Sequence, residues 1–226
     1  MSYSDARIVL KDNSYNLLVL GTPGLLSDWV GTPEATRNIS VTYAALGEVP
    51  EGCGGGAYKL TPFDSRNQEL VKRFYDQLKF QEGNFDFLLI AIGFESFDVG
   101  VEELSDEILS WCCVREINKM AFSLKFAPIC IRNLRSIIVL LPAHAANAMA
   151  SSMVAWAREF FRAAKINAES VTRINCLTIQ DSRFVTREET NSRRIRSPNK
   201  FAITSLLGVL DQCAEQDGEE FVLVDI

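Results

Sequence analysis

The chain has a single histidine, His144, and five tyrosines, none of them beyond Tyr75. One histidine excludes a histidine-built metal centre. The tyrosine distribution excludes a phenolic proton donor from the last two-thirds of the sequence. The six cysteines stand singly apart from Cys112-Cys113, with no Cys-x-x-Cys pair. That spacing excludes a zinc site and suits reduced, buried thiols rather than disulfides. No uninterrupted apolar run approaches the roughly 20 residues of a membrane-crossing helix. Residues 1–16 lack a hydrophobic signal core, so a cytoplasmic location is expected. A net charge of -6 argues against broad nucleic-acid binding. Arg193, Arg194 and Arg196 form a local basic exception. They could bind phosphate or an acidic carrier protein, and a solvated lid segment is the simpler reading.

What is present is a core. Hydrophobic residues make up 47% of the 226 residues, enough for one sizeable domain spanning 1–226. Strand and helix patterns alternate along it, which predicts a parallel sheet with helices on both faces. Residues 16–20 read as a buried first strand ending at Gly21, and 39–43 as a second. Residues 51–56 hold four glycines and read as a loop, followed by a third strand over 57–60. Helical spacing covers 68–80, with Leu70, Val71, Phe74 and Leu78 on one side. Residues 85–92 and 136–141 are continuous apolar strands of the buried parallel kind. Long helices are predicted over 102–126 and 145–164. A strand over 171–178, a polar stretch over 181–200, a helix over 201–213 and a strand over 221–224 complete the chain.

Several stretches resemble the short-chain dehydrogenase/reductase family, and within it the β-ketoacyl-carrier-protein reductases. Residues 86–93, DFLLIAIG, are similar to the family's D-I-L-V-N-N-A-G strand. Arg173-Ile174-Asn175 is similar to its R-V-N strand. Arg196-Ser197-Pro198 with Phe201-Ala202 resembles the entry to its last helix, and residues 218–225 resemble its T-G-x-x-L-x-V-D-G-G terminus. The resemblance implies a Rossmann-type, doubly wound parallel sheet of about seven strands. It also implies an NAD(P) site and a Ser, Tyr-x-x-x-Lys active site.

The positions that would carry that chemistry differ. The fingerprint glycines that let a backbone approach a pyrophosphate fall on Gly21, Leu25 and Ser27. Gly21 to Gly24 reads more simply as a tight turn. The family's asparagine pair becomes Ile90 and Ala91, followed by Ile92 and Gly93. Its helix asparagine falls near Glu116, with Asn118 about 200° further around the helix. Pro142 and Ala143 stand where the serine is expected. Met149 and Met153 occupy the tyrosine and lysine positions, and thioethers neither give nor take a proton. Asp64 matches an aspartate near the adenine ring, or is a turn or capping aspartate. Ala44 and Ala45 offer neither an acid for a ribose diol nor a base for a 2′-phosphate. His144 reads as an exposed or capping residue, and Asp98, Glu102 and Glu103 as a solvated helix start.

The expectation is therefore a non-catalytic subunit with no cofactor, catalytic residue or metal. It would pair through helices 102–126 and 145–164 with itself or with an active short-chain reductase. The alternative is a divergent NAD(P)-dependent oxidoreductase. The second helix is rich in small residues, and Trp156, Phe160 and Phe161 are expected anchors.

Overall fold

A computed structural model describes residues 15–21, 39–45, 58–80, 84–92, 105–109, 113–142, 148–167, 172–180, 202–203, 206–218 and 220–224. The strands are β1 (Tyr15–Leu20), β2 (Ile39–Ala45), β3 (Tyr58–Pro62), β4 (Phe87–Ala91), β5 (Ser136–Pro142), β6 (Arg173–Gln180), β7 (Ala202–Ile203) and β8 (Glu220–Val224). The helices are α1 (Gln68–Phe80), α2 (Asp106–Leu109), α3 (Arg115–Cys130), α4 (Ala148–Asn167) and α5 (Leu206–Glu215). All eight strands form one sheet in the order β3-β2-β1-β4-β5-β6-β8-β7, and every pairing is parallel.

The sheet is apolar on both faces because successive side chains point to opposite sides. In β5, Ile137, Val139 and Leu141 join one core cluster with Leu18, Leu20, Leu88 and Ile90. Ile138 and Leu140 join the other with Leu17, Val19 and Leu89. Residues of α1, α3 and α4 complete the first layer, and Leu210 and Cys213 of α5 contribute to the second. Helix α1 matches its sequence boundaries. Asn67 caps it, its Oδ1 accepting from the Leu70 amide at 3.0 Å. Val71, Phe74, Tyr75 and Leu78 bury one stripe, while Leu70 is only half-buried.

The doubly wound parallel sheet is as expected, with eight strands among the described residues where about seven were expected. Three expectations need correction. The two-residue β7 pairs with β8. That segment was expected to begin a helix, and α5 starts only at Leu206. Of the helix expected over 102–126, the described residues give α2 and α3, with 110–112 outside them, and α3 continues to Cys130. Pro128 is tolerated in its last turn. Finally, Phe161 is 1% exposed and belongs to the core, whereas Trp156 and Phe160 are half-buried.

The strand N-termini are tied together by polar groups. Asp86 accepts from the Asn16 amide at 3.0 Å and pairs with Arg135 at 3.2 Å. Arg135 also lies over the Tyr15 ring, whose hydroxyl donates to Asp211 at 2.6 Å. Asn175, fully buried, donates to Ser136 Oγ and the Gln216 carbonyl at 3.0 Å, and to the Cys213 carbonyl at 3.4 Å. The Arg173 guanidinium donates to the Ala214 carbonyl. These donors satisfy carbonyls at the C-terminal end of α5, which have no partner within the helix.

The candidate functional site

In an open doubly wound sheet, ligands bind outside the strand C-termini where the strand order reverses. Here that point lies between β1 and β4, since β2 and β3 extend one way and β5 and β6 the other. Gly21 follows β1 with φ +152°, and a Cβ on it would stand 2.8 Å from Ala91 Cβ. Gly21 is therefore demanded by contact with β4, whatever the crevice holds. Around it stand Ala44, Ala91 and Ile92, all buried. None offers a hydrogen-bonding side chain.

Asp64 lies in the turn between β3 and α1. Its carboxylate accepts from the Arg66 amide at 2.9 Å and Arg66 Nε at 2.7 Å. Burial pulls its carboxyl upward, but the Arg66 bonds and the charges of Arg66 and Arg115 outweigh that and hold it below the ordinary value. The turn role fits these contacts, and the helix cap belongs to Asn67. Asn118 Nδ2 donates to the Arg66 carbonyl at 3.0 Å, fastening the turn to α3.

Glu116 and Asn118 are now distinct. Glu116 is 5% exposed and forms a buried ion pair with Lys119, also 5% exposed. Sequence reading passed over Lys119. The available signal was its spacing, because Glu116 and Lys119 lie three apart on the face that also carries Met120 and Ser123.

Pro142 ends β5, paired with Ile179. Met149 opens α4 half-buried, and Cys113 Sγ donates to its Sδ at 3.5 Å. Burial pushes the Cys113 thiol up. Met153, one turn on, packs against the first core cluster. The two methionines thus engage sulfur and hydrocarbon at the positions the resemblance assigns to tyrosine and lysine. Leu25, Ser27, Gly93, Ala143, His144, the three arginines at 193, 194 and 196, Asp98, Glu102, Glu103 and the glycine-rich 51–56 stretch lie outside the described residues. Among the described residues no group of His, Cys, Asp or Glu could hold a metal ion, and no helix is long and apolar enough to cross a membrane.

Among the described residues, the side chains at the switch point supply no polar contact, and Asp64 is engaged by Arg66.

No protein-family model matches the chain, and no curated protein matches it in sequence. Solved structures do match in fold. A short-chain dehydrogenase/reductase from Brucella melitensis, described as glucose/ribitol dehydrogenase, is 15% identical with a TM-score of 0.64, covering 94% of this chain and 95% of that one. A short-chain dehydrogenase from Mycobacterium smegmatis is 15% identical with a TM-score of 0.62, covering 93% and 91%. A short-chain dehydrogenase from Leptospira borgpetersenii with bound NAD+ is 13% identical with a TM-score of 0.59, covering 98% and 97%. The chain has the Rossmann-type fold of short-chain dehydrogenases/reductases.

Proposed function

We propose that the chain is a non-catalytic subunit of dehydrogenase shape that pairs with an active short-chain reductase and supports it. The observation that carries this reading is the occupation of the proton-transfer positions by Met149 and Met153. One contacts the Cys113 thiol and the other the hydrophobic core. Neither thioether can protonate a carbonyl, and the neighbouring Cys113 thiol is held protonated by burial.

The outward surfaces of α3 and α4 support a pairing role. Val114 and Ile129 are 41% and 71% exposed. On α4, Ser151, Ser152 and Ala155 are exposed and small, permitting close helix approach. Beside them Trp156 and Phe160 stack with centroids 5.1 Å apart and remain half-buried. Half-buried aromatics next to small residues are suited to anchor a partner helix. Resemblance to the β-ketoacyl reductases favours a fatty-acid or polyketide setting by analogy.

The second reading, a divergent NAD(P)-dependent oxidoreductase, draws on the Leptospira structure with bound NAD+. Titration with NADH and NADPH, followed by tryptophan fluorescence, separates the two. Micromolar binding eliminates the pure scaffold. Recovery of an intact Tyr-x-x-x-Lys reductase with the tagged chain supports the heteromer, and recovery of the chain alone as a homomer removes it.

A further inference from the structure

Helices α1 and α3 both run back across the parallel sheet, α1 leading into β4 and α3 into β5. They pack against each other and end together at the strand N-termini, opposite the switch point. There Asn133 Nδ2, just before β5, donates to Asn84 Oδ1, just before β4, at 2.7 Å. Cys130, which ends α3, feels the charges of Asp76, Lys79 and Lys72 on α1. Two apolar side chains stand out at this edge. Phe80 closes α1 at 85% exposure, and Ile129 lies in the last turn of α3 at 71%. Cations surround them. Lys72, Arg73 and Lys79 on α1, Lys125 on α3 and Arg132 just beyond it are all exposed. Steps of four residues place Lys125 in line with Ile129, and Lys72 in line with Phe80. Among the described residues none of these five cations is held in an ion pair. Asp76 is half-buried, Asp86 is paired with Arg135, and Glu82 lies outside the described residues. In a chain of net charge -6 this edge is basic.

We propose that this edge docks on an anionic lipid surface. Phe80 and Ile129 enter the boundary between headgroups and acyl chains, and the five cations meet the anionic headgroups. Attraction to charged lipid and burial of apolar side chains add, which is how peripheral segments hold a membrane. The helix C-termini carry partial negative charge. Lys79 and Arg132 offset it, but that task does not account for an exposed phenylalanine between them. An acidic protein would satisfy the cations alone. The apolar pair favours lipid, because the anchors of a protein interface sit in well-packed pockets. Side chains as exposed as Phe80 and Ile129 have little packing from their own chain. A fluid acyl boundary takes them without shape complementarity, while the lysine stems carry their charges to the headgroups. The contact is peripheral, since no helix among the described residues is long and apolar enough to cross a membrane. It leaves the switch-point crevice at the other end of the sheet uncovered.

Sedimentation of the full chain with lipid vesicles tests the proposal. The chain should partition onto vesicles of phosphatidylcholine and phosphatidylserine in a three-to-one mixture, and not onto phosphatidylcholine alone. Added salt should weaken the binding, because exposed charges are screened. Each cation near an anionic surface contributes about fivefold, so Lys79→Gln with Arg132→Gln should lower partitioning by about 25-fold. Phe80→Ser should lower it by about tenfold through lost apolar burial. All three positions are exposed, so Tm should stay at the native value, which separates lost docking from lost folding. Failure to bind the charged vesicles overturns the proposal, as does equal binding to neutral ones. Binding that persists in both variants places the contact elsewhere and overturns it too. Retention on immobilised poly-glutamate without vesicle binding assigns the edge to an acidic protein and removes the lipid.

Discussion

Replacing Gly21 with alanine tests whether this glycine serves packing rather than a ligand. The new Cβ would stand 2.8 Å from Ala91 Cβ, against the roughly 3.5–4.0 Å at which carbon atoms attract. Relieving that overlap in a packed core costs about 1–3 kcal/mol. The backbone adds a second cost, because φ is +152° and such regions cost a side-chain-bearing residue about 1–3 kcal/mol. Together they give about 2–6 kcal/mol. A loss of about 4 kcal/mol should lower Tm by roughly 8–16 °C in a chain of this size. The assay is urea and thermal unfolding of Gly21→Ala, Ala91→Gly and the double variant. Ala91→Gly alone should cost about 0.5–1 kcal/mol for its strand. It should nonetheless restore part of the loss in the double variant, because it removes the methyl that the new Cβ meets. The backbone cost should remain. A coupling of about 1–3 kcal/mol is expected between such contacting positions. Strict additivity, or a Gly21→Ala protein as stable as the parent, would refute the packing argument.

Breaking the buried ion pair by Glu116→Gln or Lys119→Met alone should cost about 3–5 kcal/mol, and the double Glu116→Leu, Lys119→Met variant markedly less, as read by denaturant midpoints; equal losses would show that the charges are solvated. Asn175→Ala should destabilise by about 2–4 kcal/mol, since it strands the Ser136 hydroxyl and carbonyls at the end of α5; a neutral effect would mean water replaces the amide. Burial pushes the Cys213 thiol up to about 12 from an ordinary 9.0. In that window the unfolded chain loses the proton and the folded chain keeps it, so stability should fall by about 1.4 kcal/mol per pH unit. Cys213→Ala should flatten this slope in urea melts, and an unchanged slope would contradict the assignment. Met149→Tyr with Met153→Lys should give no ketone reduction in an NADPH-consumption assay, because Pro142 still stands where the resemblance calls for a serine, and Leu25 and Ser27 where it calls for glycines; turnover would show an intact pocket.

The sheet was legible because strands covered on both faces must be apolar without alternation, as in residues 85–92 and 136–141. Helix α1 was legible down to its ends, through the spacing of Leu70, Val71, Phe74 and Leu78. The two-residue β7 was hidden in a segment whose pairing is decided by β8. Lys119 was hidden too. Lysine in an amphipathic helix ordinarily marks the wet face, whereas Lys119 is buried beside Glu116. The reason for Gly21 lay beyond any local pattern, since Ala91 belongs to a different strand.

The motifs that survive and those that do not divide by what they touch. Asp86, from the stretch resembling the fourth strand of the family, bonds the Asn16 amide and Arg135. Asn175, from the R-I-N stretch, holds the end of α5. Gly21, the first fingerprint glycine, packs on Ala91. Each has a structural task that persists without a nucleotide. Ala91, Pro142, Met149 and Met153 stand where the resemblance calls for groups that meet cofactor or substrate, and their described surroundings are backbone, sulfur and hydrocarbon. On the proposed subunit reading, the first set is kept because it fixes the sheet against which α3 and α4 present their exposed faces.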